Sequence, residues 1–176
     1  MSTARSLTSW QLKLADPEAT AALGRALARA VQIHLAEVRA CGLQIGLSGD
    51  LGAGKTAVVR AMLRTLGVSG PVKSPTYALV EPYTVSSLDF YHFDFYRFSD
   101  PAEFGSSGFR DHFGPGRLCA IEWPERAGDR LPTSDISIAL NVDGDGRFAS
   151  LVAASKLGQA CLTSAIAEYR AGTDGA

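Results

Sequence analysis

The run Gly49-Asp50-Leu51-Gly52-Ala53-Gly54-Lys55-Thr56 fits G-x-x-x-x-G-K-[ST], the spacing of a loop that wraps a phosphate chain. Its glycines let the backbone curl until successive N–H groups converge on one anion, and the following helix adds the positive end of its dipole. Lys55 offers a compact cation for the β- and γ-phosphates, and the Thr56 hydroxyl is a hard oxygen ligand suited to Mg²⁺. The bland reading is a glycine-rich turn with an ordinary surface lysine. Context argues against it. Leu43, Ile45 and Leu47 alternate into Gly49 as a strand, and Val58, Val59, Met62, Leu63 and Leu66 line one face of a helix closed by Gly67.

Phosphoryl chemistry also needs an acid to complete a metal sphere or orient water, usually at the end of an apolar strand. Two acids qualify. Leu118-Cys119-Ala120-Ile121 is a short apolar run ending in Glu122, and Asp94 sits inside Tyr91-His92-Phe93-Asp94-Phe95-Tyr96-Arg97. Period-2 alternation puts His92, Asp94 and Tyr96 on one face of that strand, with Phe93 and Phe95 on the other. An acid between aromatics needs a partner to offset desolvation, which marks Asp94 as functional rather than as an edge-strand acid in solvent. His92 reads as a hydrogen-bonding core residue. The aromatic run from Phe90 to Phe98 reads as core packing rather than as a stacking platform for RNA, because alternate members must face inward and the local charge is not basic.

These groups need elements to carry them. Asp16-Pro17-Glu18 starts a helix, with Asp as N-cap and Pro at the first helical position, and Leu23, Leu27, Val31, Leu35 and Val38 give it one apolar stripe as far as Cys41-Gly42. Pro71 to Thr76 is a stiff connection, followed by strands over Tyr77–Tyr83 and Leu88–Phe98 joined around Ser86-Ser87. Asp100 to Gly116 reads as a mobile or irregular surface stretch, and Leu118–Ile121 as a buried strand. Ile136, Ile138 and Leu140 alternate into a hairpin turn at Asp143-Gly144-Asp145-Gly146, with Phe148–Val152 as the return strand. Ser155 caps a last helix over about 155–170, and residues 171–176 should fray. Helices alternating with strands in this way predict an α/β protein.

At 176 residues the chain has the size of one domain, read here as 1–176 with a core over about 16–152. Seventeen Lys and Arg oppose eighteen Asp and Glu, a formal charge of -1, so no global basic field holds nucleic acid. Any contact with RNA must be local or borrowed from a partner. The chain shows no apolar window long enough to span a membrane and no continuous apolar h-region in Met1–Leu14, so a cytoplasmic location is expected. Cys41, Cys119 and Cys161 lack ligand spacing and read as plain buried thiols.

Taken together, GDLGAGKT, KSPTYALVEPY, YHFDFYRF and IEWPERAGDRLP resemble the TsaE (YjeE) family, over about residues 16–152. The resemblance implies a P-loop NTPase fold in three layers with a mixed, mostly parallel central sheet. It implies ATP and Mg²⁺ as ligands and an ATPase activity; since no arginine sits inside a recognisable lid, hydrolysis by the chain alone is expected to be slow. That ATPase would act with the partner proteins TsaD and TsaB in making N6-threonylcarbamoyladenosine (t6A) in tRNA, and would touch tRNA only indirectly. On the same resemblance Thr56 and Glu122 hold the metal, and Asp94 is a second essential acid. Lys73, Ser74, Pro75, Thr76 and Tyr77 form a switch-like loop, Trp123 lies beside the nucleotide, and Thr20 and Arg147 lie near its adenine end. Two departures stand out. Ala57 replaces the family's usual second hydroxyl, and Gly105 to Gly116 is poorer in apolar residues than the helix usual there.

Two rival readings share the loop. A small-molecule kinase needs an acceptor pocket and a lid with several arginines, whereas Gly105 to Gly116 offers only Arg110. A nucleotide-gated scaffold would bind without hydrolysing.

Overall fold

The structure, a computed structural model, describes residues 8–85 and 88–173. Seven strands form one sheet: β1 (Thr8–Leu14), β2 (Leu43–Ser48), β3 (Val80–Val85), β4 (Leu88–Asp94), β5 (Arg117–Glu122), β6 (Ile136–Asp143) and β7 (Gly146–Ala153). Their order in space is β1-β7-β6-β2-β5-β4-β3. The four central strands β6, β2, β5 and β4 run parallel, while β7, β1 and β3 add antiparallel flanks. The sheet is therefore mixed with a parallel centre. Pro82 falls on β3, at an edge of the sheet, where a residue without an N–H is tolerated.

Helices α1 (Pro17–Ile33), α2 (Leu35–Cys41), α3 (Lys55–Thr65) and α5 (Lys156–Thr173) belong to the larger core, which takes alternate residues of the strands, such as Leu118 and Ala120. The opposite alternation, Cys119 and Ile121, joins a second core of Phe93, Phe95, Phe98, Phe104 and Ala127. Short elements cover that second face. They are α4 (Ala102–Ser106) and three single turns of 3-10 helix at Phe109–His112, Pro124–Arg126 and Gly128–Arg130.

Local chemistry accounts for several boundaries. The Asp16 carboxylate accepts from the Ala19 N–H at 2.7 Å and caps α1. Ser155 does the same for α5, its hydroxyl accepting from the Gly158 N–H at 2.9 Å. Gly144, at φ 58°, makes the β6–β7 turn where the sequence places it.

Several expectations change. The apolar stripe from Leu23 to Val38 spans two helices, not one, because His34 leaves helical dihedrals (φ -102°, ψ 28°) and turns its ring to the Ser164 hydroxyl of α5 at 2.9 Å. Residues 8–14, given no element in the sequence reading, form edge strand β1, with Leu12 and Leu14 inward. Strand β3 begins at Val80 rather than Tyr77, and β4 ends at Asp94 rather than Phe98. Asp100 to Gly116 is not irregular throughout: it holds α4, pinned by the fully buried Phe104, and a 3-10 turn. One aromatic anchor does the work of the missing apolar residues. Cys119 and Cys161 are buried, but Cys41 is exposed at the end of α2. Helix α5 continues to Thr173, beyond the expected frayed point. The Ser86-Ser87 turn and residues 174–176 lie outside the described residues. No helix among the described residues is long and apolar enough to cross a membrane.

Candidate functional site

Parallel pairing brings the sequence-predicted acids to one edge. Asp94 is paired with Glu122, and Glu122 with Leu47, so β4, β5 and β2 end side by side just where the Gly49–Thr56 loop leaves the sheet. The crevice outside the carboxyl ends of parallel strands is the usual place for a ligand in such sheets. Here it is a cleft of about 270 Å³ lined by Leu51, Gly52, Gly54, Lys55, Thr56, Ala57, Ser74, Thr76, Asp94, Tyr96, Glu122 and Trp123.

All three glycines of the loop, Gly49, Gly52 and Gly54, lie at positive φ. A Cβ at Gly49, whose φ is 132°, would lie 2.2 Å from the Leu140 carbonyl oxygen, a collision with backbone that cannot move cheaply. Gly54, at φ 107°, is the N-cap of α3 and brings no capping side chain. The first turn of α3 therefore points N–H groups at the cleft with no side chain to satisfy them, the arrangement that attracts an anion.

Lys55 is 4% exposed and donates to the carbonyls of Gly49 at 2.6 Å and Asp50 at 2.9 Å. Its ammonium stands 3.9 Å from the centre of the Trp123 ring. Burial pushes the Lys55 pKa below its ordinary value, against the pull of Glu122, Glu125, Asp94 and Asp50. Trp123 itself occupies the left-handed region (φ 58°, ψ 47°), uncommon for a bulky residue, and its N–H donates to the Leu47 carbonyl at 3.1 Å. That conformation turns the chain directly after Glu122.

Both acids are buried, Asp94 at 2% and Glu122 at 3% exposure, and both are partnered. The Thr56 hydroxyl donates to the Glu122 carboxylate, 2.8 Å from Oε1 and 3.1 Å from Oε2, and His92 Nε2 lies 2.8 Å from Oε1. Asp94 Oδ2 accepts from the hydroxyls of Ser74 and, at 2.8 Å, Thr76, while Oδ1 accepts from the Tyr96 N–H at 2.9 Å. Asp94 is thus joined to the Lys73–Tyr77 stretch, a pairing that the sequence does not announce.

The remaining predicted residues lie around the cleft rather than in it. Asp50 is exposed, whereas Ala53 is buried. Lys73, Pro75 and Tyr77 line a neighbouring depression that shares Ser74 with the cleft. Tyr77 is 85% exposed, with the Arg97 guanidinium 4.1 Å from its ring centre. Thr20 and Arg147 lie against the loop. Arg147 donates to the carbonyls of Ala53 at 2.8 Å and Gly52 at 3.3 Å, and the Thr20 methyl would sit 3.2 Å from a Cβ at Gly54. His92 and Tyr96 are site neighbours that motif spacing alone does not nominate, although alternation puts them on the face of Asp94.

The donor set fits a Mg²⁺ ion that arrives with phosphate. Thr56 and Glu122 present hard oxygens within hydrogen-bond distance of each other at the foot of the anion-directed turn. Among the described residues no group of three or more His, Cys, Asp or Glu could cage an ion unaided. Magnesium is commonly bound through one or two protein ligands with substrate phosphates and water completing its sphere, and the residues present match that habit.

Comparison with known proteins gives a consistent result. The sequence profile of the family described as "Threonylcarbamoyl adenosine biosynthesis protein TsaE" matches residues 14–148. A protein of Haemophilus influenzae named tRNA threonylcarbamoyladenosine biosynthesis protein TsaE is 44% identical over 117 residues, 66% of this chain and 74% of its own length. A protein of the same name from Nostoc is 36% identical over 138 residues, 76% of this chain and 78% of its own. Among solved structures, the crystal structure of Bacillus subtilis YdiB superposes with a TM-score of 0.70, covering 92% of this chain and 97% of that one. At 23% identity that likeness speaks for the fold alone.

Proposed function

The chain belongs to the TsaE family of threonylcarbamoyladenosine biosynthesis proteins, and on that premise we propose that it binds and hydrolyses ATP with Mg²⁺ as an accessory subunit of the machinery that makes t6A in tRNA. The observation that carries the reading is the meeting of Lys55, Thr56, Glu122 and Asp94 in one cleft at the uncapped start of α3.

Each residue has a task that its surroundings suit. The amides of Gly52 to Thr56 bind the phosphate chain of ATP, and Lys55 supplies the cation that neutralises it. The acids around Lys55 favour the charged ammonium that this task needs, and polyphosphate would add to their effect. Thr56 and Glu122 would hold the metal, which when bound would draw charge from the phosphate oxygens and so ease attack of water at the γ-phosphorus and departure of ADP. Asp94, fixed by Tyr96, Ser74 and Thr76, orients the attacking water and accepts its proton. A change of charge at Asp94 is felt at once by the two hydroxyls it holds, so the 73–77 stretch reports the state of the site to a partner.

The partners in this reading are TsaD and TsaB, with tRNA touched only through them. The segment 105–116 brings a single arginine, Arg110, which donates to the Arg130 carbonyl rather than entering the cleft. With no arginine among the described residues that line the cleft, the isolated chain should hydrolyse ATP slowly. Phosphate release should therefore rise well above that of the chain alone when TsaD and TsaB are added. An unchanged rate with a competent partner set counts against the proposal.

A further inference from the structure

His92 is fully buried on β4, and its Nε2 lies 2.8 Å from Oε1 of Glu122. A carboxylate only accepts hydrogen bonds, so the proton sits on Nε2 and His92 donates. The other end of the ring finds no such match. Among the described residues, Nδ1 of His92 is the buried side-chain nitrogen or oxygen without a hydrogen-bond partner. Leaving a buried polar atom unmatched costs stability, and an apolar ring of similar size would fill the same slot without that cost. Phenylalanine already holds two other buried positions of this strand, Phe90 and Phe93. Packing therefore does not explain an imidazole at this position. The bond to Glu122 does.

That bond makes the two oxygens of Glu122 unequal. Oε1 accepts from both His92 and Thr56, each at 2.8 Å, while Oε2 has only the longer 3.1 Å approach of Thr56. We infer that His92 is a positioning residue for the proposed ATP–Mg²⁺ site. It pins Oε1 so that the carboxylate keeps one orientation and Oε2 retains its capacity for a ligand. The inference rests on the nucleotide reading of the cleft and adds a residue that acts only through Glu122. Partners of this kind behind a metal-holding side chain commonly change metal affinity or activity by roughly 10- to 100-fold.

Three substitutions separate positioning from packing. Glutamine can present an N–H near the place of Nε2, asparagine only near that of Nδ1, and phenylalanine neither. The readouts are kcat for phosphate release, the Mg²⁺ concentration giving half of the metal-dependent melting shift with ATP, and the shift with ATP in EDTA. His92→Asn and His92→Phe should raise the half-saturating Mg²⁺ concentration and lower kcat by about tenfold or more, leaving the EDTA shift intact, whereas His92→Gln should stay within about threefold of the unmodified chain. In a Glu122→Gln background, His92→Phe should change nothing further. A His92→Phe chain with the original Mg²⁺ requirement and kcat overturns the inference. Equal behaviour of the Gln and Asn variants, or an undiminished effect in the Glu122→Gln background, does the same. If the unmodified chain shows neither shift nor phosphate release with ATP, the nucleotide reading itself fails, and the inference with it.

Discussion

Glu122 ends a strand buried at every position after Arg117 and takes its hydrogen bonds from regular elements, His92 on β4 and Thr56 on α3. Asp94 ends the neighbouring strand, yet two of the three hydrogen bonds to its carboxylate come from Ser74 and Thr76, in the irregular stretch between α3 and β3. The difference is one of freedom. Moving Glu122 means disturbing strand pairing and the larger core, whereas moving Asp94's partners needs only a half-buried connection to shift. On the proposed function, the fixed wall would hold the metal while the adjustable wall signals.

The largest effect expected from that contrast is on Asp94. Asp94→Asn should leave the melting shift with ATP in place and lower phosphate release by roughly 10²- to 10⁴-fold, the span of a lost general base. A variant that hydrolyses normally removes Asp94 from the chemistry and makes its tie to the 73–77 stretch merely structural. Lys55 serves both walls, so Lys55→Ala should be the substitution that abolishes binding. At a nucleotide concentration a hundred times the dissociation constant it should erase about 2.7 kcal/mol of stabilisation, a melting shift of several degrees.

Smaller substitutions sharpen the contrast on the adjustable side. Ser74→Ala or Thr76→Ala removes one of two hydroxyls on Asp94 Oδ2, and each should slow hydrolysis by about tenfold, about 1.4 kcal/mol and near the lower end for a hydrogen bond to a charged group, with the nucleotide-free melting temperature little changed. A large loss of stability instead would place the stretch with the fixed wall.

The smallest perturbation tests the fixed wall directly. Burial pushes the Cys119 and Cys161 thiols up to about 12. At pH 8 the reactive thiolate is then on the order of 10⁻⁴ of each. Cys41 is exposed, so a disulfide reagent should titrate one thiol quickly and two only on unfolding, with or without ATP. Fast reaction of Cys119, three residues before Glu122 on β5, would show that the strand holding Glu122 is not fixed.

The sequence makes the fixed wall far easier to read than the adjustable one. The strand–loop–helix around Gly49–Thr56 and the apolar run before Glu122 follow from periodicity and from residue types with few alternatives. Alternation likewise put His92 and Asp94 on one face. The tie from Asp94 to Ser74 and Thr76 joins residues about twenty apart through a turn no local pattern specifies, and the brace from Arg147 to Gly52 spans most of the chain. The break at His34 escapes the apolar stripe because both helices keep their buried face, so the stripe alone does not show where one ends. Strand β1 is written in the sequence, where Trp10, Leu12 and Leu14 alternate with Ser9, Gln11 and Lys13 in period 2, although polar neighbours dilute the signal. The order of 100–116 turned on one buried ring, Phe104, whose anchoring depends on the aromatic cluster of Phe95, Phe109 and Phe113 rather than on helical periodicity.

Calorimetric titration of the folded chain with ATP and Mg²⁺ addresses the central claim most directly. The account predicts saturable heat at one site per chain, absent from the Lys55→Ala variant and retained by Asp94→Asn. A folded chain that takes up no heat at millimolar nucleotide contradicts it.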